Sequence, residues 1–352
     1  MFFFSPICLH SSRRILFVKI KKLHTPVLAQ SVIDFLQPKK EQIFIDMTFG
    51  AGGHTECILN SAPNTKVFAL DRDPTAFKIA NDLSQRYPNR VVPLLGKFSD
   101  LPSLLHEEKV KPSSIDGILF DLGCSSMQFD EAYRGFSVSK DGPLDMRMDG
   151  NRLPNSITAA DVLAKIEEHD LARILSVYGE EKLAKKIARA VIESRYMLLK
   201  LQTTHQLAEL VAGIFDSDKR KDKLKRPAHV ATKTFQALRI FVNNELNELN
   251  YGMTIAHRYM KVGGKIVILS FHSLEDRIVK CHLNENMAYN SGKLMGLKGF
   301  DPTFYCDEKE LASLKSDIWK PLLKHVLIPS SDEMTDNPRS RSAKLRAAEK
   351  IK

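Results

Sequence analysis

Three apolar runs of strand length each end in an aspartate: Ile43-Phe44-Ile45-Asp46, Val67-Phe68-Ala69-Leu70-Asp71 and Ile118-Leu119-Phe120-Asp121. A carboxylate closing a buried strand is costly unless something polar meets it. In an open α/β sheet, ligands bind over the carboxyl ends of the strands, so three acids at those ends converge on one rim. Packing alone does not call for such an arrangement. Around it, apolar runs at 42–47, 66–70, 91–95, 115–121, 265–271 and 322–328 alternate with helical patterns. That alternation is the signature of βαβ units and predicts an α/β fold with a doubly wound, parallel sheet.

Between the fourth and fifth of these strands, the interval from Gly123 to Gly264 is mostly helical by pattern. One helix is expected after Ser156-Ile157-Thr158 and another from Glu180 to Arg195. From His229 to Met260, Phe235, Leu238, Val242, Leu246, Leu249, Met253 and Ala256 recur at steps of three and four, which predicts one long amphipathic helix. The expected organisation is a leader over 1–23, a first sheet segment over 24–128, a helical insertion over 129–228 and a second sheet segment over 229–352 with a basic tail.

The first strand runs into Met47-Thr48-Phe49-Gly50-Ala51-Gly52-Gly53-His54. Glycines let backbone approach a ligand closely, and the helix that follows aims free N–H groups at it. Such a loop serves a dinucleotide or S-adenosylmethionine. The dinucleotide pattern G-x-G-x-x-G is not met, because Thr55 stands at its last position. Asp71, about 20 residues past the glycines, is placed to accept hydrogen bonds from ribose hydroxyls, whereas Asp73 before Pro74 suits a helix cap. Phe98 either lies against an adenine or belongs to the core. Three acids on one rim suit a ligand with hydroxyls, an ammonium and a sulfonium, as in S-adenosylmethionine.

Several longer strings carry a resemblance. His24-Thr25-Pro26-Val27-Leu28, Asp46-x-Thr48-Phe49-Gly50-x-Gly52-Gly53-His54-Thr55, Asp71-Arg72-Asp73-Pro74 and Asp121-Leu122-Gly123-x-Ser125-Ser126 resemble the small-subunit ribosomal RNA (cytosine-N4) methyltransferases. So do Arg134-Gly135-Phe136-Ser137, the segment from Asp141 to Met148, Tyr178-Gly179-Glu180-Glu181, the segment from Thr234 to Ile240, the segment from Ser270 to Arg277 and the tail from Asn337 to Arg346. The resemblance implies a Rossmann-like methyltransferase sheet with an inserted helical domain, and S-adenosylmethionine as cofactor. It puts cofactor contacts at Gly52, Gly53, His54, Asp71, Phe98, Asp121 and Gln128. With the leader discussed below, it points to the mitochondrial branch and to a cytosine in the decoding region of mitochondrial small-subunit rRNA, naked or in an assembling subunit.

Methylating an exocyclic amine requires acceptors for the amine hydrogens and alignment with the methyl donor. Many amino-methyltransferases use a loop with a Pro-Pro pair; this chain has none. The loop starting at Asp121 is expected to serve instead. His272, in Ser270-Phe271-His272-Ser273, either receives the proton or caps the next helix. Asp141 and Asp145 are candidates for organising a mobile lid. Cys124 is expected to be a small semi-buried residue and not a nucleophile, since Gly123 and not Pro precedes it.

The chain has 352 residues and a net charge of +10, with 43% hydrophobic and 27% charged residues, a composition that excludes wholesale disorder. Half of that excess is Arg13, Arg14, Lys19, Lys21 and Lys22, in a stretch with no acid before Asp34. An acid-free leader of this kind suits mitochondrial import, with a frayed basic tail as the alternative. No run is long enough for a membrane span. The 5 cysteines are scattered without a C-x-x-C pair, so no structural metal is expected. Lys182, Lys185, Lys186 and Arg189, the cluster from Lys219 to Arg226, and Arg339, Arg341, Lys344 and Arg346 are candidate phosphate contacts. A target base splayed from single-stranded RNA is expected. Two other readings remain: an rRNA-binding assembly factor without catalysis, and a DNA or small-molecule amino-methyltransferase.

Overall fold

The computed structural model describes residues 26–153, 155–215, 220–221, 227–283 and 318–352. The expected leader, and all of the cluster from Lys219 to Arg226 except the backbone of Arg220 and Lys221, lie outside them. The first half comprises α1 (Ala29–Leu36), β1 (Ile43–Asp46), α2 (Gly53–Ser61), β2 (Lys66–Asp71), α3 (Pro74–Arg86), β3 (Val91–Leu95), α4 (Leu101–Glu107), β4 (Ile115–Asp121) and α5 (Ser126–Asp130). Helices α6 (Ala159–Lys165), α7 (Glu168–Gly179), α8 (Ala184–Tyr196) and α9 (Thr204–Ala212) follow. A two-residue ribbon of β5 (Arg220–Lys221) and β6 (Pro227–Ala228) precedes α10 (Thr232–Asn243) and α11 (Glu245–Tyr259). The chain closes with β7 (Met260–Ser270), α12 (Ser273–Leu283), β8 (Trp319–Pro321), α13 (Ser331–Asp336) and β9 (Lys344–Lys350).

The main sheet has 7 strands in the order β3-β2-β1-β4-β7-β9-β8. The first five are parallel, while β9 and β8 add antiparallel. The order reverses at β1, which pairs with β2 on one side and β4 on the other; a crevice at such a switch point is where open α/β sheets bind ligands. Alternate residues of each strand face opposite layers. Ile45, Phe68, Ile118, Phe120, Ile266 and Ile268 pack with residues of the helices between β4 and β7. Phe44, Val67, Leu119, Val267 and Leu345 pack with those of α1, α2 and α3. Full burial of side chains this size is worth about 1.5–3 kcal/mol each. Among the described residues no helix is long and apolar enough to cross a membrane.

Two expectations are corrected. Residues 322–328 do not form the sixth strand; Leu327 makes only an isolated bridge to Leu345, and β9 takes the place beside β7. The charge of β9 disguised it. Its Leu345, Ala347 and Ala348 are buried, while Lys344 and Arg346 pair with Asp276, and the Lys350 ammonium donates to the carbonyls of His257 and Met260. The pattern from His229 to Met260 is likewise two helices. Asn244 adopts φ 50, ψ 37, a left-handed conformation that Asn tolerates better than most residues, and it ends α10 and starts α11. Both halves keep the apolar spacing, so periodicity alone did not reveal the break.

Candidate active site

The end of β1 turns sharply because its own side chains bind the backbone that follows. Buried Asp46 accepts the Thr48 N–H at 3.1 Å and the Thr55 hydroxyl at 2.7 Å, and burial raises its carboxyl above the ordinary range. Gly52 (φ 81) closes the turn, where a Cβ would lie 2.7 Å from the Phe49 ring; at Gly53 a Cβ would lie 2.8 Å from Pro26. These contacts hold the first turn of α2, with its unpaired N–H groups, at the rim.

Asp71 closes β2 beside this loop. Its carboxylate accepts the Gly50 N–H at 2.7 Å and the Asp73 N–H at 2.9 Å, and burial pushes its pKa up to about 6. Each oxygen keeps a second lone pair for a ligand. Asp121 closes β4, where its N–H donates to the Thr48 hydroxyl at 2.6 Å. Among the described residues its buried Oδ1 has no hydrogen-bond partner, and neither has either ring nitrogen of His54, which is 6% exposed. His54 Nε2 lies 3.6 Å from Asp121 Oδ2. Three orphaned polar atoms side by side, on the rim of a switch point, mark a place where a polar ligand completes the hydrogen bonding.

Phe98 and Gln128 are engaged by the protein itself. Phe98 meets Phe120 edge-to-face at 5.5 Å and backs onto Gly252, so it joins the core while staying partly exposed. Gln128 is buried, donating to Asp73 Oδ2 at 2.8 Å and accepting the Ser125 N–H at 3.1 Å. Arg134 reaches the same Asp73 oxygen at 2.7 Å. Asp73 is therefore a hub as well as the cap of α3, whose Thr75 N–H it accepts.

Residues 21–351 match the model of the MraW methylase family. The chain belongs to this family. A Mus musculus protein named 12S rRNA N(4)-cytidine methyltransferase METTL15 is 51% identical over 94% of this chain and 83% of its own length. A Homo sapiens protein of the same name is 49% identical over 97% and 86%. The Ehrlichia canis protein named Ribosomal RNA small subunit methyltransferase H is 42% identical over 94% of this chain and 100% of its own. A Culex quinquefasciatus protein named as a receptor-type tyrosine-protein phosphatase is 56% identical over 93% of this chain, but the chain spans 22% of its length, and most of that protein lies outside the match.

Around His272 this member of the MraW methylase family assembles a second polar group, beyond Asp121, whose other members the sequence did not single out. Arg239 on α10 makes a two-pronged pair with Glu245 on α11, at 2.8 and 2.9 Å, and its third nitrogen lies 3.2 Å from the Cys124 sulfur. Glu275 is buried nearby. Burial alone would raise its carboxyl, and His272 and Arg239 more than reverse that, leaving it below the ordinary range. Glu245, His272 and Glu275 offer donor atoms within 4.8 Å of one another, with the Arg239 guanidinium supplying positive charge. In the sequence His272 stood out as a candidate, and a charged residue, Arg239, interrupts the run Ala237-Leu238-Arg239-Ile240.

His272 precedes α12 as its cap. Its Nδ1 accepts the Glu275 N–H at 3.4 Å while the Glu275 carboxylate accepts the Phe271 and His272 N–H groups at 2.7 and 3.3 Å. Its Nε2 lies 3.0 Å from Glu275 Oε1, off the line of a hydrogen bond. Burial pushes the Cys124 thiol up to about 11, against the opposing pull of the Arg239 guanidinium, which disfavours the thiolate at neutral pH.

The segment around Asp141 and Asp145 is tied down. Asp141 accepts the His205 N–H at 3.1 Å, and Asp145 pairs with Arg147 at 2.7 Å. Asn243 clamps the same segment to α10: its amide donates to the Met146 carbonyl at 2.7 Å and accepts the Met148 N–H at 2.8 Å. Arg72, next to Asp71, pairs with Asp149 and donates to the Asn243 carbonyl at 2.9 Å. Arg72 and Asn243 thus join the end of β2, the segment around Met146 and α10 by hydrogen bonds.

Proposed function

We propose that this protein is an S-adenosylmethionine-dependent methyltransferase acting on N4 of a cytosine in mitochondrial small-subunit rRNA. The observation that carries this is the group of orphaned atoms on His54 and Asp121 beside the Asp71 carboxylate, in a chain of the MraW methylase family. The names of the mouse and human relatives supply the nucleotide and the RNA. The acid-free basic segment before Asp34 supports import into the mitochondrial matrix.

S-adenosylmethionine supplies an electrophilic sulfonium methyl group. Gly52, Gly53 and His54 would hold its polar end at the start of α2, Asp71 would accept from its hydroxyls, and Phe98 would border its adenine. Gln128 acts one step back, holding Asp73 and so the turn after β2. Asp121 accepts a hydrogen bond from the cytosine amine and orients it for in-line attack. The nitrogen loses a proton after transfer. His272 is the candidate to receive it, and that role requires the cap bond from the Glu275 N–H to open. Helices over 129–228 bind the RNA around the target, with the subunit still assembling.

The test is mass spectrometry of nucleosides from mitochondrial small-subunit rRNA with and without this protein. Loss of N4-methylcytidine is expected. An unchanged level sinks the proposal and favours a non-catalytic RNA-binding role.

A further inference from the structure

Four large apolar side chains stand exposed in a row at the end of α8: Tyr196 (85%), Met197 (70%), Leu198 (88%) and Leu199 (60%). The helix does not need them for packing, since its buried face is Ala184, Ile187, Ala188, Val191 and Ser194. Nor is the turn frayed. The N–H groups of Met197, Leu198 and Leu199 donate to the carbonyls of Glu193, Arg195 and Ser194 at 3.2, 3.0 and 2.9 Å. Leu198 sits at φ 59, where glycine is the usual residue and a larger one costs about 1 kcal/mol. The chain therefore holds a leucine on display in a strained, hydrogen-bonded position.

The neighbouring face of the same helix is basic. Lys185, Lys186 and Arg189 of this helix, and Lys182 in the turn just before it, are all exposed; on the helix the spacing of three and four runs from Lys186 through Arg189 and Glu193 to Tyr196, so these share one side. Glu193, the acid in that row, lies 4.0 Å from Arg189. Just before α8, Glu180 lies 3.9 Å from Arg277 of α12, the helix that His272 caps. The start of the row thus lies beside α12, one turn along from His272. At 1.5 Å per residue, Lys185 to Tyr196 spans about 17 Å.

We propose that this face docks single-stranded RNA beside the target cytosine, an inference that rests on the RNA-modifying reading above. Phosphates follow Lys182, Lys185, Lys186 and Arg189, which hold backbone without reading sequence. An unpaired base stacks on Tyr196, with Met197, Leu198 and Leu199 walling the platform. A row of cations leading into an exposed aromatic is the composition of a single-strand groove. Exposed Lys200 follows the platform, while Arg195 is turned inward onto the Leu163 carbonyl at 2.7 Å; with the lysines and Arg189 of α8, the surroundings match a polyanion better than a neutral protein face.

The test is fluorescence anisotropy of a labelled, unstructured RNA oligonucleotide with the full chain across a salt series. Tyr196→Ala should weaken binding about tenfold, within the range of one stacked base, with the salt slope unchanged. Tyr196→Trp should retain affinity. Lys185→Gln combined with Lys186→Gln should reduce the slope of log affinity against log salt by about 1.4. Photo-cross-linking from a thiouridine-substituted oligonucleotide should land on the peptide containing Tyr196. Wild-type RNA affinity in Tyr196→Ala overturns the proposal, and so does loss of a small-subunit ribosomal protein from that variant while RNA binding stays intact. If the wild-type protein transfers no methyl group to cytosine but Tyr196→Ala still weakens RNA binding, the docking surface stands and the methyltransferase reading falls.

Discussion

The Asp121 N–H donates to the Thr48 hydroxyl at 2.6 Å, so the ends of β4 and β1 are joined by a side chain where the sheet ladder stops. Thr48 follows Asp46 by two residues and donates its own N–H to it. One threonine therefore sets the spacing between two of the three rim acids.

Thr48→Val keeps the shape and removes the hydroxyl, leaving the Asp121 N–H without its acceptor. We expect a stability loss of about 1–2 kcal/mol, read from the urea midpoint. Binding of S-adenosylhomocysteine by calorimetry should weaken as well. Unchanged affinity would show that the cofactor does not depend on this link.

Asp71 should make cofactor binding pH-dependent. Its carboxyl is pushed up to about 6 by burial, above the value of about 3.9 in an unfolded chain. The folded protein thus holds the proton more tightly, and this group's contribution to stability, full below pH ~4, is lost as pH rises through about 6. Binding runs the other way, because the ionised form accepts the ligand hydroxyls. Affinity should rise as pH passes about 6 and then level off, with proton release on binding near pH 6 seen as a buffer-dependent heat. Asp71→Asn should abolish that proton release.

Arg239 and Glu245 are each largely buried, and removing one strands the other. Arg239→Met should cost about 3–5 kcal/mol in urea unfolding, while Arg239→Met with Glu245→Leu should recover most of that loss. A single variant as stable as the wild type would mean that the pair does not hold α10 against α11.

Cys124→Ala should keep methyl transfer within a few-fold of wild type, because a thiol at about 11 carries almost no thiolate at neutral pH. Complete loss of transfer with an intact fold would instead indicate covalent attack on the pyrimidine ring.

The acids at the ends of β1, β2 and β4 were legible because the pattern is local: an apolar run, an aspartate, then a turn. Gln128 was legible only by resemblance, and its contact with Asp73 55 residues away could not be read from spacing. β9 was missed because Lys344, Arg346 and Glu349 break the apolar alternation, and its charges are neutralised by Asp276 and by carbonyls from distant elements. The break at Asn244 was hidden because the three-and-four spacing runs through it.

By itself the sequence determined the parallel α/β order, the glycine turn and which strand ends carry acid, since these follow from periodicity and from residues within a turn of one another. Tertiary structure decided what those groups can do. It left His54 and Asp121 Oδ1 without partners, engaged Gln128 with Asp73, and made His272 a helix cap. It also brought Arg239, Glu245 and Glu275 together behind Cys124. Hydrogen bonding and desolvation depend on neighbours that meet only when β4, α10, α11 and β7 pack, so a linear pattern does not contain them.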